Sequence, residues 1–357
     1  MQQHASTANS NATQTNTQTE LSVIIPCLNE AESLPQLLEA LHSQSDICLQ
    51  IIVADGGSAD KSTAIAERAG ATVVSSPAGR GRQMNQAVAM ASSPWLLFLH
   101  ADSQLTHTQQ LRAALDCMQA AQQQQAQVAG HFALRFIDRP TQQKRWRILE
   151  HKTTLQLPLT INGDQGLLIH RDYFEQLGQF DTTHHFLEDQ KLAAKIQQTG
   201  RWQLLPHRLN TSARRFQTEG FHRRYWLMTL IMLAWSTGLS RFLHPDNQVY
   251  ANQSDAKPLT LSAHIQRFYG ASNALPVGQQ LGLYWSIADL CRSNLYQLFL
   301  WLDASLSRKH WPLTTLWLIS GHRLTQLPLL RQLLQLLLLP VFPIIATSIV
   351  LLAKIRH

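Results

Sequence analysis

The sequence predicts an α/β chain: a mostly parallel sheet flanked by helices, followed by a helical, membrane-associated C-terminal extension. Two observations point there. Between residues 21 and 127, short apolar, β-rich runs alternate with segments of helical period, which is the pattern of a parallel sheet with crossover helices. Residues 333–353 then run for 21 positions without a charge, long enough to cross a bilayer.

The elements follow in order. Residues 21–26 are apolar and end on Pro26, as a buried parallel strand does. Asn29 opens a helix with Glu30 and Glu32 in its first turn and Leu34, Leu37, Leu38 and Leu41 at helical spacing. Residues 50–54 form a second strand. Asp55-Gly56-Gly57-Ser58 is a turn, and Asp60 caps the next helix. Strands follow at 72–75 and 95–100, helices at 80–92 and 106–127. The pattern then loosens: strands at 128–137, 166–170 and 202–205, helices at 142–156, 171–177 and 188–198. Residues 221–243 read as one apolar, aromatic helix with basic ends, and 281–306 carry one apolar helical stripe. The expected organisation is a polar disordered tail (1–20), an α/β domain (21–220), a basic aromatic interfacial helix (221–250) and a helical extension (251–357).

Composition narrows the classes. Hydrophobic residues make up 45% and charged residues 15%, ample for a core and low for a wholly soluble chain. The formal charge of +7 suits nucleic acid, a phosphate-bearing substrate or an anionic membrane. It is concentrated: Arg201, Arg208, Arg214, Arg215, Arg223, Arg224 and Arg241 face the single acid Glu219. Trp226 and Trp235 interleave this cluster, but the long apolar run that follows suits lipid better than nucleic acid. Cys27, Cys48, Cys117 and Cys291 are widely spaced and read as reduced thiols of a cytosolic compartment. Residues 1–20 lack a basic start and an apolar run, so neither a signal peptide nor an anchor is expected there.

Three acids follow predicted strands: Glu30 after the first, Asp55 at the end of the second, Asp102 after the fourth. In a parallel sheet all three fall on the rim that binds nucleotides. Each could instead cap a helix or sit in a solvated loop. Gly56-Gly57 allows backbone to approach a ligand, and Arg80 and Arg82, in a Gly-rich turn before a helix, suit a diphosphate.

The segments Ser22-Val23-Ile24-Ile25-Pro26-Cys27-Leu28-Asn29-Glu30, Val53-Ala54-Asp55-Gly56-Gly57-Ser58 and Phe98-Leu99-His100-Ala101-Asp102-Ser103 resemble the N-terminal motifs of family 2 glycosyltransferases. Gly79-Arg80-Gly81-Arg82-Gln83-Met84-Asn85, Gly163-Asp164-Gln165-Gly166, Leu187-Glu188-Asp189 and Ser212-Ala213-Arg214-Arg215-Phe216 are similar to a bacterial subfamily of them. The resemblance spans about residues 20–250. It implies a GT-A fold and inverting sugar transfer from a nucleotide sugar, usually a UDP-sugar, with Mn²⁺ or Mg²⁺. Under it Asp55 reads the base, Glu30 lies near base and ribose, and Pro26, Asn29 and Gly57 line the donor. Asp102 holds the position of the last acid of the metal-binding DXD motif, whose first acid is replaced here by His100, as a ligand or as a packing residue. Asp189 resembles the catalytic base that deprotonates the acceptor hydroxyl. Asp164 contacts donor sugar or acceptor.

Arg214 and Arg215 either clamp the diphosphate or, with Arg223, Arg224, Trp226 and Trp235, seat the domain on anionic lipid. The resulting expectation is sugar transfer to a lipid-linked or membrane-associated acceptor at the cytoplasmic face of the inner membrane. Residues 333–353 span the bilayer, re-enter it, or form a buried interface. A non-catalytic scaffold on the same fold is the alternative. Nucleotidyl transfer would need a Gly-rich, Lys-bearing loop after the first strand, where Leu28-Asn29-Glu30-Ala31-Glu32 stands instead.

Overall fold

The computed structural model describes residues 19–139, 144–183, 187–244, 258–306 and 310–355, so all but the last two residues of the expected tail at 1–20 lie outside them. Seven strands form one sheet: β1 (Leu21–Cys27), β2 (Leu49–Asp55), β3 (Thr72–Ser75), β4 (Trp95–Phe98), β5 (Val128–Ile137), β6 (Leu167–His170) and β7 (Arg201–Ser212). Their order is β3-β2-β1-β4-β6-β5-β7. The sheet is mixed and mostly parallel, because β6 runs antiparallel to both β4 and β5.

Alternation along the strands sorts the core into two layers. Leu21, Val23, Ile25, Ile51 and Val53 face α1 (Leu34–His42), α2 (Ser62–Arg68), α4 (Gln110–Gln124) and Trp146 of α5 (Lys144–Lys152). Ile24, Ile52 and Ala54 face α3 (Arg80–Val88), α6 (Arg171–Gln176) and α7 (Glu188–Thr199). A third cluster is built by α9 (Phe221–Ser236), α10 (Ser240–Leu243), α11 (Leu261–Asn273), α12 (Val277–Ser293) and α17 (Val341–Ile355). Short α8 (Arg214–Glu219) leads into it. The remaining C-terminal helices are α13 (Tyr296–Leu306), α14 (Pro312–Leu316), α15 (His322–Leu324) and α16 (Pro328–Leu338), with a π turn at Trp317–Gly321.

The differences from the expected elements have local causes. Asn29 does not open a helix: its φ of 57° is left-handed, and the helix starts at Leu34 with Pro35 in its first turn. Arg80 and Arg82 lie inside the first turn of α3 rather than before it. β7 continues past residue 205 because β5 pairs with it through a register shift between His131 and Ala133. The apolar stretch 221–243 breaks at Gly238, whose φ is 72°. One face of it is core: Leu227, Leu230 and Ile231 are buried, and Arg224 pairs with Glu219 at 3.2 Å.

Candidate active site

β1 and β4 pair only from Ser22 to Ile24, whereas β1 stays paired with β2 through Cys27. The strand order reverses at this point, and the carboxyl ends of β1 and β4 diverge into the crevice where open α/β sheets bind ligands. Pro26 is tolerated in a central strand because it lies beyond the β4 ladder.

The loops after β1 and β2 are knitted together. Asn29 Oδ1 accepts from Ala59 N at 2.8 Å, and Asn29 N donates to Ser58 Oγ at 2.9 Å. Glu30 N donates to Ser62 Oγ at 2.8 Å, and Ala31 N to Asp60 Oδ2 at 3.0 Å. Asp60 thus ties two loops together as well as accepting from Ser62 N at the start of α2. Asp55, buried at the end of β2, accepts from Gly57 N and Ser58 N, and Gly57 supplies the φ of 92° that this turn requires. Gln83 was not singled out from the sequence. It is buried and donates to Cys27 O and Ala54 O, both at 2.8 Å, pinning α3 under the two loops.

Across the crevice, a 3-10 turn at Gly163–Gln165 meets the start of α7. Asp189 Oδ2 accepts from Gly163 N at 2.7 Å and Asp189 Oδ1 from Gln190 N at 2.8 Å. A Cβ on Gly163 would stand 3.1 Å from His100 Nε2 and 3.4 Å from Asp189, so the glycine lets His100 and Asp189 approach one another. Arg80 lies 3.5 Å from His100 Nε2 and 3.6 Å from Glu188 Oε1. These groups open onto a cleft of about 470 Å³, walled by Met84, Phe98, Ile161, Leu192 and Trp202.

The electrostatics follow from this crowding. Burial, then Asp189 and Asp102, push Asp164 up to about 7. Its Oδ1 is buried without a hydrogen-bond partner. Burial also raises Asp102, against the pull of Arg80 and Arg214. Burial and Asp102 raise Glu30. Burial and Arg80 press His100 down to about 3, so its imidazole is neutral at physiological pH.

The structure therefore brings Glu30, Arg80, His100, Asp102, Asp164, Asp189 and Arg214 to one site. It separates two others. Arg215 turns to Glu219 at 2.8 Å, which also holds Arg224, while its neighbour Arg214 pairs with Glu32 at 3.2 Å on the crevice side. Arg82 is exposed on α3, whereas Arg80 points to Glu188 and His100. Among the described residues no three His, Cys, Asp or Glu side chains form a ready metal site. What the site holds is a neutral His100, Asp102, and the unpartnered Asp164 oxygen, nitrogen and oxygen donors of the kind that suit a divalent cation.

Residues 22–178 match the family model described as Glycosyl transferase family 2. The match covers under half of the chain and places this segment's likeness with that family. An uncharacterized glycosyltransferase of Mycobacterium tuberculosis is 35% identical over 86 residues, 24% of this chain and 38% of that relative. A PGL/p-HBAD biosynthesis glycosyltransferase of Mycobacterium bovis is 35% identical over 91 residues, 24% of this chain and 36% of that protein. This chain therefore aligns with well under half the length of either relative. Among solved structures, a mannosyltransferase of Pyrobaculum calidifontis in complex with GDP-Man and Mn²⁺ is 19% identical, with 95% of this chain and 89% of that chain covered and a TM-score of 0.46. TarS of S. aureus in complex with UDP-GlcNAc is 15% identical over 80% of this chain and 79% of that one, with a TM-score of 0.43. The matched segment contains β1 to β6 and the crevice residues up to Gln165. Asp189 and Arg214 are added to the crevice by the chain that follows it.

Proposed function

We propose that the chain is an inverting glycosyltransferase, moving a sugar from a UDP-sugar to a hydroxyl of a lipid-linked or membrane-associated acceptor at the cytoplasmic face of the inner membrane. The observation that carries the reading is the Asp189 carboxylate. It is fixed by Gly163 N at 2.7 Å and lines the cleft beside His100 and Glu188. Inversion needs a base and a leaving group on opposite sides of the anomeric carbon, and a carboxylate held in place takes the acceptor proton as the new bond forms. Asp55 and its turn read the base, with Pro26, Asn29, Glu30 and Gly57 around base and ribose. Arg80 and Arg214 face the diphosphate.

Asp102 with His100, and Asp164 beside them, would hold Mn²⁺ or Mg²⁺. When bound there, the cation would supply positive charge to offset the diphosphate. The membrane side of the reading draws on one helical run, Pro328–Leu351, which is long and apolar enough to cross a bilayer by length and composition.

Asp189→Asn tests the base. Asn keeps an oxygen for Gly163 N but cannot take a proton. Transfer should fall by about 10²–10⁴-fold while UDP-sugar binding by calorimetry is unchanged. Full transfer by the Asn variant would move the base to Glu188, the other carboxylate lining the cleft.

A further inference from the structure

The two parts of the chain present different surfaces. Among the described residues, the large apolar side chains left exposed before residue 277 are Leu28 and Met90, and the others fall within 277–351. The same C-terminal helices bury their polar groups: Arg292, Asp303, Thr314, Thr325 and Gln335 are all 3% exposed or less. Arg292 donates to Thr325 O at 3.0 Å and pairs with Asp289 at 3.0 Å, while Asp303 accepts from Leu313 N and Thr314 N. One helix shows the inversion by itself. On α16, Gln335 is 3% exposed while Leu333 and Leu337 are 58% and 70% exposed. Arg331 of the same helix is drawn to Asp289 of α12 at 3.1 Å. A helix in water turns its apolar stripe inwards; an inside-out helix has hydrocarbon as its solvent, with polar groups paired against one another.

We infer that residues 277–351 form a monotopic unit lying in one leaflet of an anionic bilayer without crossing it. This rests on the membrane reading above and gives that reading its partner and geometry. Two features oppose a crossing. The helical hydrogen-bond ladder is interrupted at Leu339-Pro340, between α16 and α17, within the run. And α17 is not surrounded by lipid: Phe342 and Ala346 are 5% and 2% exposed in the third core cluster, and Tyr269 of α11 donates to Pro343 O at 3.3 Å. The helix α11 that covers it carries exposed Gln266 and Arg267, and α10 packed against α11 carries exposed Arg241, which a crossing would drag into hydrocarbon.

The border of the apolar face carries the chemistry of a headgroup layer. Lys144 lies 4.0 Å from the ring of Trp301, itself 55% exposed, and Arg147 lies 5.5 Å from the ring of Trp311. Both cations belong to α5, from whose end residues 153–162 lead into the Gly163–Gln165 turn of the site. The leaflet thereby adjoins the segment that enters the active site.

The test uses the full chain and vesicles of phosphatidylcholine alone or with phosphatidylglycerol. Sedimentation should show binding strengthened by the anionic lipid. Leu329→Gln, Leu333→Gln and Leu337→Gln together should weaken it by about tenfold or more, with cooperative unfolding retained. Gln326→Cys and Lys354→Cys, at the two ends of the apolar run, should both react with a membrane-impermeant maleimide on intact vesicles, above the wild-type background. Protection of one of them until detergent is added means a crossing and overturns the inference, though not the membrane reading. A monodisperse dimer that ignores vesicles means the apolar face is covered by a second copy and overturns both. Asp189→Asn binds vesicles like wild type in every case, so failure of the catalytic reading shows separately, in the transfer assay.

Discussion

Asp164 is a residue that the fold alone does not satisfy. Its Oδ1 is buried without a partner, and burial with two neighbouring carboxylates holds it near 7, against 3.8 for a free side chain. Between those values the folded chain keeps a proton that the unfolded chain has released. Stability therefore falls as pH rises from about 4 towards 7 and stays low above. Asp164→Asn is neutral throughout and removes that penalty. It should stabilise the ligand-free protein by ~1–3 kcal/mol at pH 8 and by little at pH 4. Thermal melts of both proteins from pH 4 to 8 check this, and parallel curves would refute it. The same variant should gain less in melting temperature from a UDP-sugar with Mn²⁺, since the lost charge is the one a cation compensates. The adjacent pair Arg214 and Arg215 makes the complementary point. One faces Glu32 at the crevice and the other Glu219 in the interior, a division set by where α8 turns and not by residue type.

Among the elements, α3 is the one whose placement decides the site, because it carries Arg80 and its buried Gln83 fastens it to β1 and β2. Gln83 donates to Cys27 O and Ala54 O at the ends of β1 and β2, and a Cβ on Gly56 would lie 2.9 Å from its amide. Gln83→Leu leaves both carbonyls without this donor. It should cost ~2–4 kcal/mol and weaken UDP-sugar binding; denaturant melts and calorimetry read the two effects. An unchanged midpoint with unchanged affinity would show that α3 is held by packing alone. Much of this architecture was legible in the sequence: β5 was bounded residue for residue at 128–137, and β1 to β4 were placed within two residues of their ends. The failures came where one residue takes an unusual backbone conformation or a distant strand intervenes. Asn29 at φ 57° replaces the expected helix start with a loop, and Gly238 at φ 72° divides the expected long helix. β7 extends to Ser212 through Pro206 and His207, which read locally as a strand end, because pairing with β5 overrides the local signal. At the site, the motifs located the carboxylates. They could not show that Arg82 is exposed or that Glu188 meets Arg80, since both depend on how α3 faces α7.

At the scale of the molecule, the catalytic part and the extension have separate interiors. The two clusters on the faces of the sheet draw on residues 21 to 213, with Phe216 and Phe221 packed against one of them. The third cluster takes only Leu187 from the sheet domain. Among the contacts that cross just after the domain, Phe221 meets Trp146 edge-on with ring centroids 5.0 Å apart, and Arg224 pairs with buried Glu219. A chain ended after Tyr225 keeps both and omits the rest of the third cluster. It should unfold in one cooperative transition and bind UDP-sugars with the affinity of the full chain, because every crevice residue from Pro26 to Arg214 is retained. It should lose vesicle binding altogether, since the exposed apolar surface beyond residue 276 is gone. α5 gives up its packing on α13, including the Lys144 contacts with Trp301 and Ser305, so the melting temperature should drop by a few degrees. Circular dichroism on this fragment reads the transition and its midpoint, calorimetry the affinity, and sedimentation the vesicle binding. A fragment without a thermal transition would mean that the sheet domain needs the extension to fold. The two interiors would then be one cooperative unit, despite sharing a single buried side chain.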